Sequence, residues 1–214
     1  MTVADSSVQV RHAAGVDELA QFEKWASMAD AGGPLTARRL IEAHTQGFLA
    51  TALDFEAGPG ADERAFRAGQ LEAMTWAHTF ALVAVDDNGP VGGLLAGPSE
   101  YFLSMLPPQA GMQPVMNGIL RTSKLHFVSV GDAHRRSGAG TALVRTALDI
   151  VQRSQADLLY GQFEAEDHGL ERFYRNIGFS IHPTGVGLDF SSIFGFTAGP
   201  SPMPSERFFT KRFH

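Results

Sequence analysis

Seven consecutive residues, Arg135, Arg136, Ser137, Gly138, Ala139, Gly140 and Thr141, stand between an apolar run at 125–130 and a run at 141–154 patterned as a helix. Residues of these types in that setting suit one task, holding an anion. Glycine lets the backbone approach a ligand with no side chain in the way. The first N–H groups of a helix lack internal acceptors, and the helix dipole adds attraction for negative charge. The spacing separates this loop from two other phosphate binders. A Walker loop requires glycine, four residues, then Gly-Lys-Ser/Thr, which occurs nowhere in the chain. The dinucleotide fingerprint requires a third glycine where Leu143 stands. What remains is Arg135-x-x-Gly138-x-Gly140.

A second group with chemistry to offer is Tyr174. Leu170, Phe173, Tyr174 and Ile177 fall at helical spacing, and Gly178 is a natural helix stop before the apolar Phe179. A phenol stays protonated at neutral pH and is therefore available as a proton donor. The same tyrosine on an apolar stripe also suits a packed core, and one side chain is able to do both.

The loop and the segment Phe173-Tyr174-Arg175-Asn176-Ile177-Gly178-Phe179 together resemble the two hallmarks of the GNAT superfamily of acyl-CoA-dependent N-acyltransferases. These are Gln/Arg-x-x-Gly-x-Gly/Ala at a strand–helix junction and a helix ending in Tyr-x-x-x-Gly-Phe. They occur here in the family's order, 34 residues apart from Gly140 to Tyr174. Three positions depart from the usual pattern: Asp132 stands where proline is usual, Ala139 where a larger apolar residue is common, and Asp167 where asparagine is frequent. The resemblance covers about residues 80–179 well and the helical N-terminal third loosely. It implies an N-acetyltransferase that uses acetyl-CoA as acyl donor, with residues 135–141 (Arg135, Arg136, Ser137, Gly138, Ala139, Gly140, Thr141) on the coenzyme A pyrophosphate. It also implies main-chain groups around Val128 and Val130 on the pantetheine arm, and Tyr174 as the general acid that protonates the departing thiolate.

Acyl transfer to an amine sets a further proton problem. A lysine-like amine with pKa near ~10.4 costs roughly 4 to 5 kcal/mol to present uncharged at pH 7. A general base meets that demand, and Glu164, at the C-terminal end of the expected fifth strand, leads the candidates, followed by Glu166 and His126. Glu164, Glu166, Asp167 and Glu171 crowd the expected acceptor mouth, which favours a cationic amine. Acidic residues also belong at helix N-termini on their own account, so both readings stand.

The composition narrows the field. The 17 basic and 23 acidic residues leave a net charge of −6, without the basic stripe expected of a nucleic-acid binder. There is no cysteine, hence no disulfide, thiolate metal site or cysteine nucleophile. The eight histidines show no metal-ligand spacing, and no metal is expected. The N-terminus lacks the pattern of a signal peptide and no apolar run is long enough for a membrane span, so the expectation is a cytoplasmic protein with no membrane partner.

The elements that must position these residues follow from periodicity. A strand at 8–13 precedes helical patterns at 17–28, from Thr36, and from near Asp62, the last carrying Phe66, Leu71, Met74 and Trp76. Gly32-Gly33-Pro34 and Gly58-Pro59-Gly60 separate them. Runs at 80–85 and 91–96 flank Asp86-Asp87-Asn88-Gly89-Pro90 and read as a hairpin. Residues 97–124 form an irregular, proline-rich insertion with short helices at 99–106 and 114–121, serving either as packing for its own domain or as a lid over the acceptor. Strands at 125–130, 158–164, 179–182 and 207–213 alternate with the two motif helices. The order predicts an α/β fold of the GNAT type, a central twisted mixed sheet of about six to seven strands flanked by helices. A single domain over 1–214 is expected, with core 80–179 and a helical acceptor-side part at 15–78. The acceptor is expected to be a small cationic amine, and homodimerisation is left open. Two alternatives are a non-catalytic acyl-CoA sensor and a protein or peptide N-acetyltransferase.

Overall fold

The computed structural model describes residues 8–31, 36–53 and 71–213. The breaks expected at Gly32-Gly33-Pro34 and Gly58-Pro59-Gly60, the helix start near Asp62 and the core position Phe66 lie outside them.

Among the described residues, seven strands form one mixed sheet: β1 (Gln9–His12), β2 (Phe80–Asp86), β3 (Gly89–Gly97), β4 (Thr122–Val130), β5 (Leu158–Glu164), β6 (Ser180–Ile181) and β7 (Glu206–Arg212). Their order is β1-β2-β3-β4-β5-β7-β6. The β4–β5 pair is parallel, whereas β1–β2, β2–β3, β5–β7 and β6–β7 are antiparallel. The expected mixed sheet flanked by helices is therefore present, and β7 inserts between β5 and β6. β6 is only two residues long and, among the described residues, pairs with β7. β4 begins at Thr122, three residues before its apolar run, because Thr122, Ser123 and Lys124 pair with Leu158, Leu159 and Tyr160 despite their polarity. The helical pattern at 17–28 divides into two short helices, Val16–Ala20 and Phe22–Met28, joined at Gln21.

The chain forms two compact units. The first runs to Ala96 and resumes over His126–Asp149. Its core joins Leu19, Phe22, Trp25, Leu40, Val83 and Phe127. Two glycines of β3 permit this packing. A Cβ on Gly93 would fall 2.1 Å from the Trp25 ring, and one on Gly92 would fall 2.6 Å from the Ser129 carbonyl oxygen of β4. The buried Ser129 hydroxyl also donates to the Trp25 carbonyl at 2.7 Å, tying the helix Phe22–Met28 to β4 just before the anion loop.

The second unit comprises Gly97–Leu125 and the chain from Ile150 onward. Here the insertion packs on its own unit. Phe102 meets the rings of Phe190 and Phe194 at 5.5 Å each, and Asn117 donates to the Ile193 carbonyl at 2.9 Å. Gly118 leaves the room that Leu103 and Phe194 occupy. Of the two readings of 97–124, these contacts favour the packed one. Residues 191–194 form a short helix that periodicity did not reveal.

Candidate active site

The loop expected to hold an anion is built from turns. After β4, Gly131 donates to the Val91 carbonyl at 2.8 Å, and a 3-10 turn over Asp132–His134 follows. His134 approaches the half-buried Asp86 at 3.4 Å, which ties the turn to the β2–β3 hairpin. Arg136 then takes φ +65 and Gly138 φ +91, both left-handed. At Gly138 only glycine adopts that backbone at no steric cost. The helix spans Ala139–Arg153, and Ala142 is the first residue to reach a helical carbonyl, that of Gly138 at 2.9 Å. Among the described residues, no backbone carbonyl accepts from the N–H groups of Gly138, Gly140 or Thr141, the orphan donors of a helix start. The first turn carries no acidic residue, unlike the helices Val16–Ala20 and His168–Ile177, so nothing offsets the positive end of the dipole. Ala139 is buried and anchors the turn, while Arg135, Arg136, Ser137 and Gly138 are exposed. Arg135 pairs with Asp132 at 2.9 Å. Val128 and Val130 are half-buried on the same face of β4.

Tyr174 lies in the second unit, on the helix His168–Ile177. Asp167 caps that helix, its carboxylate accepting from the Leu170 N–H at 2.8 Å, and Gly178 ends it at φ +95. The left-handed stop lets the Phe179 N–H return to the Tyr174 carbonyl at 3.1 Å. It also brings the Phe179 ring edge-on to Tyr174 at 5.6 Å. Phe163, Phe173 and Phe209 complete an aromatic cage, and Phe209 stacks on the tyrosine at 3.8 Å. Tyr174 is 4% exposed, and no described residue hydrogen-bonds its hydroxyl. Burial, reinforced by the Asp167 carboxylate, pushes that hydroxyl well above the ordinary tyrosine range. The ring of Tyr174 is thus a packed core ring, and its hydroxyl is held protonated.

The acidic cluster divides into two kinds. Asp167 is occupied as a helix cap, and Glu171 pairs with Arg175 at 2.9 Å and with Arg207 at 2.8 Å. The Arg175 hydrogen bond holds the Glu171 carboxyl below its usual range. Glu164 and Glu166 are exposed. Glu164 closes β5 directly opposite Glu206 of β7. His126 is half-buried on β4, and His182 accepts or donates at 2.9 Å with Thr210. Among the described residues, no three histidine, aspartate or glutamate side chains converge on a metal site, and no helix is long and apolar enough to cross a membrane.

Three features escaped the sequence. Phe209 gives no local sign that it will cover Tyr174, because β7 reaches β5 only through long-range pairing. Gly161 stands opposite Phe209, and a Cβ there would fall 2.3 Å from the ring. The chain Lys124, Gln162 and Glu206 joins residues from three strands.

The model of the acetyltransferase (GNAT) family matches residues 49–179. No curated protein matches the chain in sequence. Among solved structures, a proposed GNAT-family acetyltransferase from Desulfovibrio desulfuricans is 15% identical and matches over 97% of this chain and all of that one, with TM-score 0.56. A proposed acetyltransferase from Salmonella typhimurium, solved with its cofactor acetyl-CoA, is 16% identical over 98% of this chain and 95% of that one, with TM-score 0.58. A ribosomal-protein-alanine N-acetyltransferase from Brucella melitensis is 20% identical over 95% of this chain and 99% of that one, with TM-score 0.53. At these identities the structures share the fold with this chain.

Proposed function

We propose, for a chain that belongs to the acetyltransferase (GNAT) family and is thereby an acyltransferase, that it passes an acetyl group from acetyl-CoA directly to a primary amine within one ternary complex. The observation that carries this is the anion loop: unpaired N–H groups at an acid-free helix start, opened by a left-handed glycine. Residues 135–141 take the pyrophosphate, chiefly through the backbone, with Arg135 and Arg136 adding charge. Main-chain groups of Val128 and Val130 take the arm that leads away from the loop.

The amine attacks the thioester carbonyl, and a β4 N–H aimed at the carbonyl oxygen meets the negative charge that develops there. Tyr174 supplies the proton for the departing thiolate. A thiol of pKa near ~8.5 leaves more readily as the neutral species, and a tyrosine whose burial keeps it protonated holds that proton across the working pH range. Glu164, exposed at the end of β5 and opposite Glu206, places negative charge that attracts a cationic amine. As the base it competes with a second group, Lys124. A small cationic amine is the acceptor these carboxylates suit.

Calorimetry with acetyl-CoA tests the reading, run on the wild type and on a Gly138→Glu, Gly140→Glu variant. Micromolar binding that the variant loses is the expected result. A wild type that binds no acetyl-CoA overturns the donor site. Turnover of N-terminal peptides with none of small polyamines overturns the acceptor class.

A further inference from the structure

Strand alternation places Lys124, His126, Val128 and Val130 on one face of β4. If Val128 and Val130 hold the arm that leaves the anion loop, the strand leads next to His126 and Lys124. Among the described residues, β4 pairs with β5 over three residues of each, and Lys124 opposite Tyr160 is the last. Lys124 therefore sits where the two central strands cease to be hydrogen-bonded to each other.

Its side chain is held in a defined way. Nζ donates to Gln162 Oε1 at 3.2 Å. Gln162 Nε2 donates to both carboxylate oxygens of Glu206 at 2.9 Å each, and Glu206 Oε2 also accepts the Met203 N–H at 2.8 Å. A carboxylate thus orients an amide, and the amide presents its carbonyl to the amine. A carboxylate directly on Lys124 would lock it as an ammonium. An amide carbonyl accepts from a neutral amine as readily as from an ammonium, so it positions Nζ without fixing its charge. Burial lowers the affinity of this amine for its proton, and the more distant Glu206 opposes the shift only in part. The other titratable groups on this face of the sheet include Tyr160 and Glu164 of β5, Glu206 and Arg212 of β7, and His126 of β4. Lysine is otherwise scarce: Lys24, Lys124 and Lys211 are the only three in the chain.

We propose that Lys124 is the general base of the acyl transfer, positioned by Gln162 and Glu206. The inference rests on the acetyltransferase reading above. The N–C bond to the acceptor forms as the C–S bond of the thioester breaks. The proton lost by the attacking nitrogen goes to the lone pair of Lys124 Nζ, and the thiolate takes the Tyr174 phenolic proton. Lys124 then releases its proton to water and Tyr174 regains one. Glu164 is left with the electrostatic task of attracting the amine.

The test begins with the protein carrying 13C at lysine Cε, which yields three signals, assigned by Lys24→Arg and Lys211→Arg variants and titrated with coenzyme A bound. Lys124 is expected to titrate below the other two, and Gln162→Glu, which sets a carboxylate against it, moves its titration upward. Thiol release from acetyl-CoA with tyramine as probe amine follows. The wild-type rate rises with pH through the Lys124 titration, and Lys124→Arg lowers kcat about 10²–10⁴-fold with coenzyme A affinity intact. Arginine keeps the charge and most of the bulk but cannot give up its proton, so a purely structural lysine would be rescued by it. A Lys124 signal that titrates with or above the other two, or a Lys124→Arg enzyme with the wild-type pH profile, overturns the proposal. Failure of the wild type to bind coenzyme A instead overturns the acetyltransferase reading.

Discussion

The ring of Tyr174 lies stacked on that of Phe209, centroids 3.8 Å apart and planes 16° from parallel. Phe209 occupies its place because Gly161, directly across the β5–β7 pair, has no side chain to exclude it. A glycine in one strand thus determines where a ring in the next can lie, and that ring fixes the orientation of a phenol on a helix.

The stack and the hydroxyl are separable. Tyr174→Phe keeps the ring, its neighbours and the buried apolar area. Thermal stability and acetyl-CoA affinity are expected to stay near wild type, while kcat falls about 10²-fold or more, the scale of a lost general acid. Steady-state kinetics beside calorimetry checks this, and an unchanged kcat would remove Tyr174 from the chemistry.

Gly161→Ala acts on the same residue from a distance. Its Cβ would fall 2.3 Å from Phe209 and 3.0 Å from the Leu125 carbonyl oxygen, so the ring must move. Overpacking of this kind costs about 1–3 kcal/mol, or roughly 2–4 °C in Tm per kcal/mol for a chain of this size. Loss of kcat in step with a changed near-ultraviolet dichroism spectrum is the expected outcome. Wild-type values of both would show that Phe209 does not position Tyr174.

Arg136 offers an opposite balance. It holds a left-handed backbone at φ +65, which costs a side-chain-bearing residue roughly 1–2 kcal/mol. Arg136→Gly relieves this at an entropic cost of about 0.5–1 kcal/mol, so stability should be unchanged or slightly raised. Acetyl-CoA affinity should drop and lose part of its salt dependence, because an exposed cation beside the pyrophosphate is gone. Isothermal titration at two salt concentrations resolves the two effects, and identical salt slopes would place Arg136 away from the ligand.

Alkaline pH should unfold the protein through its tyrosines. Burial raises the hydroxyl pKa of both Tyr160 and Tyr174, and each ring is fully enclosed or nearly so. A group whose folded pKa lies above its unfolded value of ~10 contributes stability in full below that pH and loses it as pH climbs toward the folded pKa. Denaturation midpoints should therefore fall above about pH 10, with phenolate absorbance from these two residues appearing only together with unfolding. Tyr101 is exposed, so the titration is run on Tyr101→Phe, where tyrosinate appearing in the folded protein would contradict the enclosed environment.

Much of the candidate site's local backbone was readable from consecutive residues. The loop Arg135-x-x-Gly138-x-Gly140 and the helix stop at Gly178 are local devices, since a left-handed glycine and a helix end depend on a few neighbours in the chain. The hairpin and the two motif helices rest on hydrophobic period together with local turn and stop residues, and they appear within two or three residues of their expected bounds. Two of the four clustered acids, Asp167 and Glu171, turned out to be a cap and an ion-pair partner, a distinction their spacing does not carry.

Tertiary structure decided the rest. β7 pairs with β5 across more than forty residues of chain, and an apolar strand reads the same whichever neighbour it joins, so neither its place in the sheet nor Phe209 over Tyr174 was visible. Gln162 lies 38 residues from Lys124 and 44 from Glu206, distances over which no periodic pattern links polar side chains. The insertion at 97–124 was equally ambiguous until Phe102 and Asn117 found Phe190, Phe194 and Ile193. Backbone turns and helix starts are written into adjacent residues because their energies are local. The surroundings of a phenol or an amine are set by which distant strands the hydrogen-bonded sheet brings together.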